Sequence, residues 1–201
     1  MAINKHYWND RYKLKQTGWD MGTISEPLKT YFDQLSDKNI YILIPGCGNA
    51  HEADYLIRKG FTNITLIDFA DEVVNELKQK FKLAIDEGKM KIISGDFFDL
   101  TIQFDLIIEQ TFFCALEPSL RKNYAEKMYS LLKTEGKLVG LLFSFSLTNE
   151  GPPFGGSIEE YHAHFSDLFS VKTMENCYNS IKPREGRELF IVLNKKSMVG
   201  M

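Results

Sequence analysis

Cysteine is scarce in this chain of 201 residues: Cys47, Cys114 and Cys177 are the only three, an odd number at unrelated spacings and without a CxxC pair. That pattern argues against a disulfide framework or a zinc site and points to a reducing, cytoplasmic setting. The four histidines make no ligand set either, because His162 and His164, two positions apart, fall on different sides of a helix. No metal is expected. A charge excess is missing as well: the net charge is −3 and the basic residues are scattered, without the Lys/Arg stripe of a nucleic-acid reader. The longest apolar stretch, Leu138 to Leu147, is broken by Gly140, Ser144 and Ser146 and is too short to span a bilayer. The opening residues from Ala2 to His6 contain no apolar segment of signal-peptide length. With no repeat and no Pro/Ser-rich linker, one domain is expected over residues 1–201.

What is present is an alternation of strands and helices. Ile40 to Ile44 is a continuous apolar run, the form of a central parallel strand, and Pro45-Gly46-Cys47-Gly48-Asn49 turns the chain into a helix over 50–59. A second strand, 64–68, ends in Asp68, and one long amphipathic helix is predicted over 71–87. Strands follow at 90–93, 104–108 and 137–143, with a helix over 119–132, a Gly/Pro-rich loop over 150–156 and a short helix over 158–165. The last strands, 169–174 and 189–193, have no helix between them and are expected to pair as an antiparallel hairpin on one edge. The predicted fold is therefore α/β, a Rossmann-like, seven-stranded, mostly parallel sheet with helices on both faces. Residues 1–38 are expected to be an N-terminal helical segment, to which the resemblance described below gives the role of a lid, and residues 39–195 the core. Ser25 is expected to cap a helix whose first turn holds Glu26 and Pro27.

In such sheets ligands sit beyond the carboxyl ends of the strands. The glycine turn at Gly46 and Gly48 lets backbone approach a ligand closely. A dinucleotide cradle would place a third glycine where His51 stands, so a nucleoside without phosphates, such as S-adenosylmethionine, suits the turn better. Asp68 lies about twenty residues past the turn, where an acid can accept from both hydroxyls of a ribose. Asp96 is placed to accept from an adenine amino group while Phe97 packs on the ring. Glu109 and Gln110 follow the fourth strand as further candidate contacts; Glu109 reads equally as a contact, a base or a surface charge. Cys114, between Phe113 and Ala115, reads as a small buried hydrophobe rather than a nucleophile.

These motifs occur in a specific order. Trp8-x3-Tyr12-x6-Trp19-Asp20-x-Gly22 comes first, then Leu43 to Gly48, Gly95 to Phe98 and Phe104 to Ile108. Phe112-Phe113-Cys114-Ala115-Leu116-Glu117-Pro118-x2-Arg121 and Gly151-Pro152-Pro153-Phe154 complete it. The chain thereby resembles the thiopurine S-methyltransferase-like family, most closely its thiol/halide methyltransferase branch. The resemblance implies a methyltransferase with S-adenosylmethionine as cofactor and a thiol, thiopurine or halide as acceptor. It implies lid contacts to the cofactor from Trp8 and Trp19, a glycine-loop contact at Gly46, a ribose acid at Asp68, an adenine-side pair at Asp96 and Phe97, and a contact at or beside Gln110. Two departures stand out: Tyr12 replaces a common Trp, and Glu109-Gln110 replaces an Asp-Tyr pair.

Aromatic faces attract a sulfonium cation by about 0.5 to 2 kcal/mol per contact, an independent reason for Trp8, Tyr12 and Trp19. Phe112, Phe154 and Tyr161 are candidates for an apolar acceptor pocket, and Arg184 or Arg187 for an acceptor carboxylate. No acid/base residue is required, since thiols ionise near pH ~8.5. The rival readings are a nucleotide-dependent oxidoreductase of the same architecture and a non-catalytic cofactor-binding module.

Overall fold

The computed structural model describes residues 3–197. Seven strands take the order β3-β2-β1-β4-β5-β7-β6, numbered along the chain. The chain divides into two compact units, with the boundary between Leu100 and Thr101.

In the first unit, β1 (Ile42–Pro45), β2 (Ile64–Asp68) and β3 (Met90–Ser94) pair in parallel, β2 in the middle. Every residue of β1 is buried, which is why the run reads as apolar without alternation. The helices α1 (Lys5–Lys13), α2 (Glu26–Asp33), α3 (His51–Arg58) and α4 (Asp71–Lys80) belong to this unit. Asn4 caps α1 by accepting from the Tyr7 amide. Ser25 does occupy the cap position of α2, yet its hydroxyl makes no cap bond; its amide instead donates to Glu52. The long helix expected over 71–87 is two pieces, α4 and α5 (Lys82–Asp86), separated at Phe81, whose φ −103° and ψ 19° leave the helical region.

In the second unit, β4 (Phe104–Gln110) pairs in parallel with β5 (Leu132–Phe143), and α6 (Arg121–Leu131) connects them. After α7 (Ile158–Phe165), the strands β6 (Phe169–Asn176) and β7 (Glu188–Lys195) form the expected antiparallel hairpin, with β7 the reversed strand between β5 and β6. Strand β5 begins five residues before the predicted position: Leu132 pairs with Phe104, then the register shifts, and Glu135 takes φ 62°. The turn-like Thr134-Glu135-Gly136 is an irregularity inside an extended strand rather than a boundary before it. Gly140 faces Glu109 across the β4–β5 pair so closely that a Cβ there would lie 2.2 Å from the Glu109 carbonyl oxygen.

Candidate active site

The turn after β1 concentrates backbone that side chains disfavour. Gly46, Gly48 and Ala50 all have positive φ, of 55°, 48° and 53°. Asp68, at the end of β2, holds this turn: its Oδ2 accepts from the Gly48 amide at 3.0 Å and its Oδ1 from the Ala70 amide at 3.0 Å. Burial pushes the Asp68 carboxyl above its usual range, against the hydrogen bonds from Ala70, Gly48 and Phe69. A carboxylate offers about four acceptor directions, so with three amides on it Asp68 retains about one for a ligand's hydroxyl.

Three of the aromatic residues singled out in the sequence meet over this turn. Trp19 packs edge-on against Trp8 at 5.5 Å and against Tyr12 at 5.8 Å. A Cβ at Gly48 would stand 3.2 Å from the Tyr12 hydroxyl, so glycine there lets the tyrosine close on the turn. Burial, then the nearby carboxylate of Asp68, drives the Tyr12 hydroxyl well above its usual pKa, which keeps it neutral. Helix α1 is also tied to α4, through Lys5 to Asp71 at 2.8 Å, Lys13 to Glu72 at 3.3 Å and the Asn9 side chain, which accepts from the Glu72 amide at 3.2 Å.

Asp96 and Phe97 follow β3. The Gly95 amide donates to the Asp68 carbonyl at 3.1 Å, which joins this loop to the end of β2. Asp96 is exposed and accepts from the Phe98 amide at 2.9 Å, starting a short 3-10 turn. Phe97 is buried and packs edge-on against Phe98.

In the second unit, Glu109 is completely buried at the end of β4. Its Oε1 accepts from the amides of Phe112 at 2.8 Å and Phe113 at 2.9 Å, and its Oε2 from the Tyr124 hydroxyl. The surface-charge reading of Glu109 is thereby corrected, because the carboxylate is the internal brace of the 111–115 turn, where Thr111 takes φ 57°. Burial pushes its carboxyl up to about 7, against the hydrogen bonds from Tyr124, Phe113 and Phe112. Gln110, next along, has a buried Oε1 with no hydrogen-bond partner. Cys114 is buried and its thiol is pushed up by desolvation and then by Glu109, in keeping with an inert side chain.

Phe154 joins the same turn: its amide donates to the Cys114 carbonyl at 2.8 Å. Phe112 is half-buried and 6.0 Å from Tyr124. Tyr161 lies deeper, packed on Phe113 at 5.6 Å, with its hydroxyl donating to the Phe143 carbonyl at 2.5 Å. Arg184, a candidate for an acceptor carboxylate, is buried, paired with Glu188 at 3.3 Å and set over the Phe143 ring at 5.5 Å. Arg187 is exposed and lies over Phe145 at 4.7 Å.

Sequence reasoning missed Arg121, which is fully buried, pairs with Glu160 at 2.5 Å and donates to the Gly155 carbonyl at 2.7 Å. It also missed Asp20. Both stand inside quoted motifs, but apart from the Gly22 amide on Asp20 their hydrogen-bond partners are 29 to 39 residues away, beyond any local signal. Among the described residues no group of three His, Cys, Asp or Glu side chains is arranged to hold a metal, and no helix is long and apolar enough to cross a membrane.

The sheet order, with an acid closing β2 beside a glycine turn, defines a Rossmann-like methyltransferase fold. The solved 1,6-didemethyltoxoflavin-N1-methyltransferase of Burkholderia thailandensis shares it, with a TM-score of 0.75 at 14% identity over 98% of this chain and 88% of that one. Within that class, the sequence profile of the family described as Thiopurine S-methyltransferase matches residues 3–198, and the chain belongs to this family. It is 29% identical to "Probable thiol methyltransferase 2" of Arabidopsis thaliana, covering 90% of this chain and 81% of the relative. To "Thiocyanate methyltransferase 1" of the same plant it is 25% identical, with coverages of 93% and 83%.

Proposed function

We propose that this protein is an S-adenosylmethionine-dependent methyltransferase that acts on a small nucleophile: a thiol, a thiopurine, a halide or a pseudohalide such as thiocyanate. The observation that carries the reading is Asp68, buried at the end of β2, bonded to the Gly48 amide and set beside the Trp8–Tyr12–Trp19 cluster. The residues fit the cofactor by their chemistry. Asp68 keeps an acceptor direction for a ribose hydroxyl, Gly46 and Gly48 carry no side chain of their own, and Gln110 carries an unmatched carbonyl oxygen for a donor group. Trp8, Tyr12 and Trp19 supply neutral aromatic faces for a sulfonium. Asp96 is assigned to the same set through its exposed carboxylate. Phe97 and Glu109 are assigned to it as residues that shape the loops.

When bound, the cofactor supplies a methyl group activated by the positive sulfur that carries it. The chain then has to orient the acceptor in line with that methyl and keep water away, and a neutral aromatic enclosure favours a reaction that disperses charge. No protein acid or base is assigned a proton, since a thiol provides enough thiolate by itself and Glu109 is occupied on both oxygens. Phe112 and Phe154, brought to one turn, are the proposed acceptor contacts, with Tyr161 and Arg184 behind them and Arg187 as the exposed cation. The proposal includes one working domain over 1–201 with residues 1–38 as lid. It also includes a cytoplasmic setting, supported by three free cysteines.

The test is transfer of a labelled methyl group to thiols, thiopurines, thiocyanate and iodide, with Asp68→Ala as control. Transfer to at least one class is expected. Asp68→Ala should weaken cofactor binding by about 1–3 kcal/mol, the cost of leaving buried polar partners unmet. Tight cofactor binding without transfer to any acceptor would favour a non-catalytic binding module instead.

A further inference from the structure

The segment between α1 and α2 reaches the glycine turn through one carboxylate. Asp20 Oδ1 accepts from the Gly22 amide at 2.8 Å and is 2.7 Å from His51 Nε2, while its Oδ2 accepts from the Asn49 side-chain amide. A carboxylate only accepts, so His51 donates from Nε2. Asn49 and His51 flank Ala50, the left-handed residue that leads into α3. Trp19, the hub of the aromatic cluster, immediately precedes Asp20 in the chain. The Lys80 ammonium reaches the same turn from α4 and donates to the Asn49 carbonyl at 3.0 Å.

We infer that Asp20 is a clasp: by gathering Asn49, His51 and the Gly22 amide it fixes the aromatic lid on the glycine turn, and it is a positioning residue for cofactor binding. This inference rests on the methyltransferase reading. Its physical basis is the exposure of the lid's other ion pairs; what remains is the Asn9 side chain, which accepts from the Glu72 amide at 3.2 Å, and the packing of Trp19 on Trp8 and Tyr12. Helix α1 has no buried residue, and its ion pairs to Asp71 and Glu72 are largely exposed, the kind worth least in water. Asp20 and His51 are better sheltered, with side chains 19% and 26% exposed. The three hydrogen bonds outweigh the burial that opposes them and hold the Asp20 carboxyl below its usual range. A charge-assisted bond in such a site is among the stronger ones available to a surface loop. Without it, the Trp19 segment would keep its packing on Trp8 and Tyr12 but lose its tie to the glycine turn, and the entropy of restoring that placement would be subtracted from affinity.

The test combines two measurements on the full chain. Calorimetry with S-adenosylhomocysteine should give an affinity about tenfold weaker for Asp20→Asn, since an amide in place of the carboxylate turns a donor toward Asn49 or His51. His51→Leu should lose a comparable factor, and His51→Gln, which keeps a donor, should restore most of it. Unfolding midpoints should stay within about 3 °C of wild type, the shift for roughly one kcal/mol in a chain of this size. Hydrogen exchange on the ligand-free protein should quicken at residues 17–22 and 49–52 in Asp20→Asn and His51→Leu, and not in β5 or β7. Wild-type affinity in both variants would overturn the clasp. So would an affinity loss matched by a general fall in stability, or a failure of His51→Gln to differ from His51→Leu. If the wild-type protein itself binds no S-adenosylhomocysteine, the methyltransferase reading fails separately, and the exchange pattern alone then decides whether the clasp exists.

Discussion

Glu109 carries two opposing demands on a single side chain. Three donors converge on its oxygens, which favours the carboxylate, yet no water reaches it, which favours the neutral acid. Burial prevails and the folded pKa rises to about 7, whereas the unfolded chain releases the same proton near pH ~4.3. Between those values the folded state holds a proton that the unfolded state has lost. The contribution to stability is therefore complete below about pH 4.3 and disappears as the pH rises through about 7. Glu109→Gln never ionises; its carbonyl can accept from Phe112 and Phe113 and its amide can donate to the Tyr124 oxygen. The variant should lack this part of the pH profile, a difference of about 3 kcal/mol between pH 4 and pH 8. Urea unfolding of both proteins across that range checks it, and parallel profiles would show that Glu109 is ionised throughout.

Among the elements, those with one uniform environment were legible and those with a local exception were not. Strand β1 and the edge hairpin β6–β7 follow from apolar runs and from the missing helix between the last two strands. The break at Phe81 left no trace, because Leu77, Phe81 and Ala84 bury one continuous face and the amides of Phe81 and Ile85 still donate four residues back. Strand β5 was read short, since Glu135 and Gly136 look like a turn whether they end a helix or bulge a strand. Of the candidate site, the glycine turn, Asp68 and the lid aromatics were visible through spacing and residue type. The ties between distant segments, at Asp20 and Arg121, were not.

Arg121 in particular joins three elements: α6, which it opens, α7 through Glu160, and the 150–156 loop through the Gly155 carbonyl, with its guanidinium over Phe113 at 4.7 Å. Replacing it with leucine keeps apolar contact with Phe113 but leaves the Gly155 carbonyl and Glu160 without their donor. The expected loss is about 2 kcal/mol, the cost of leaving the Gly155 carbonyl unmatched, since Glu160 is 27% exposed and keeps His164 at 3.6 Å. Glu160→Gln retains an acceptor but strips the counter-charge from the fully buried Arg121, and should cost more, about 3 kcal/mol. Urea midpoints at constant m-value separate the two variants.

At the scale of the whole molecule, the proposed cofactor contacts are divided along the chain. Asp68, the glycine turn and the aromatic lid precede Leu100, while Glu109 and Gln110 follow it, and each side forms a compact unit with its own strands. If the chain works as one domain, a ligand that engages both sides must stabilise both together. Calorimetric unfolding should then show one transition whose calorimetric and van't Hoff enthalpies agree. S-adenosylhomocysteine at one hundred times its dissociation constant should raise the stability of that entire transition by about 2.7 kcal/mol. Two transitions, only one of them shifted by the ligand, would mean that a single unit carries the binding energy. In that case Gln110 and the turn after β4 would leave the cofactor set and belong to the acceptor alone.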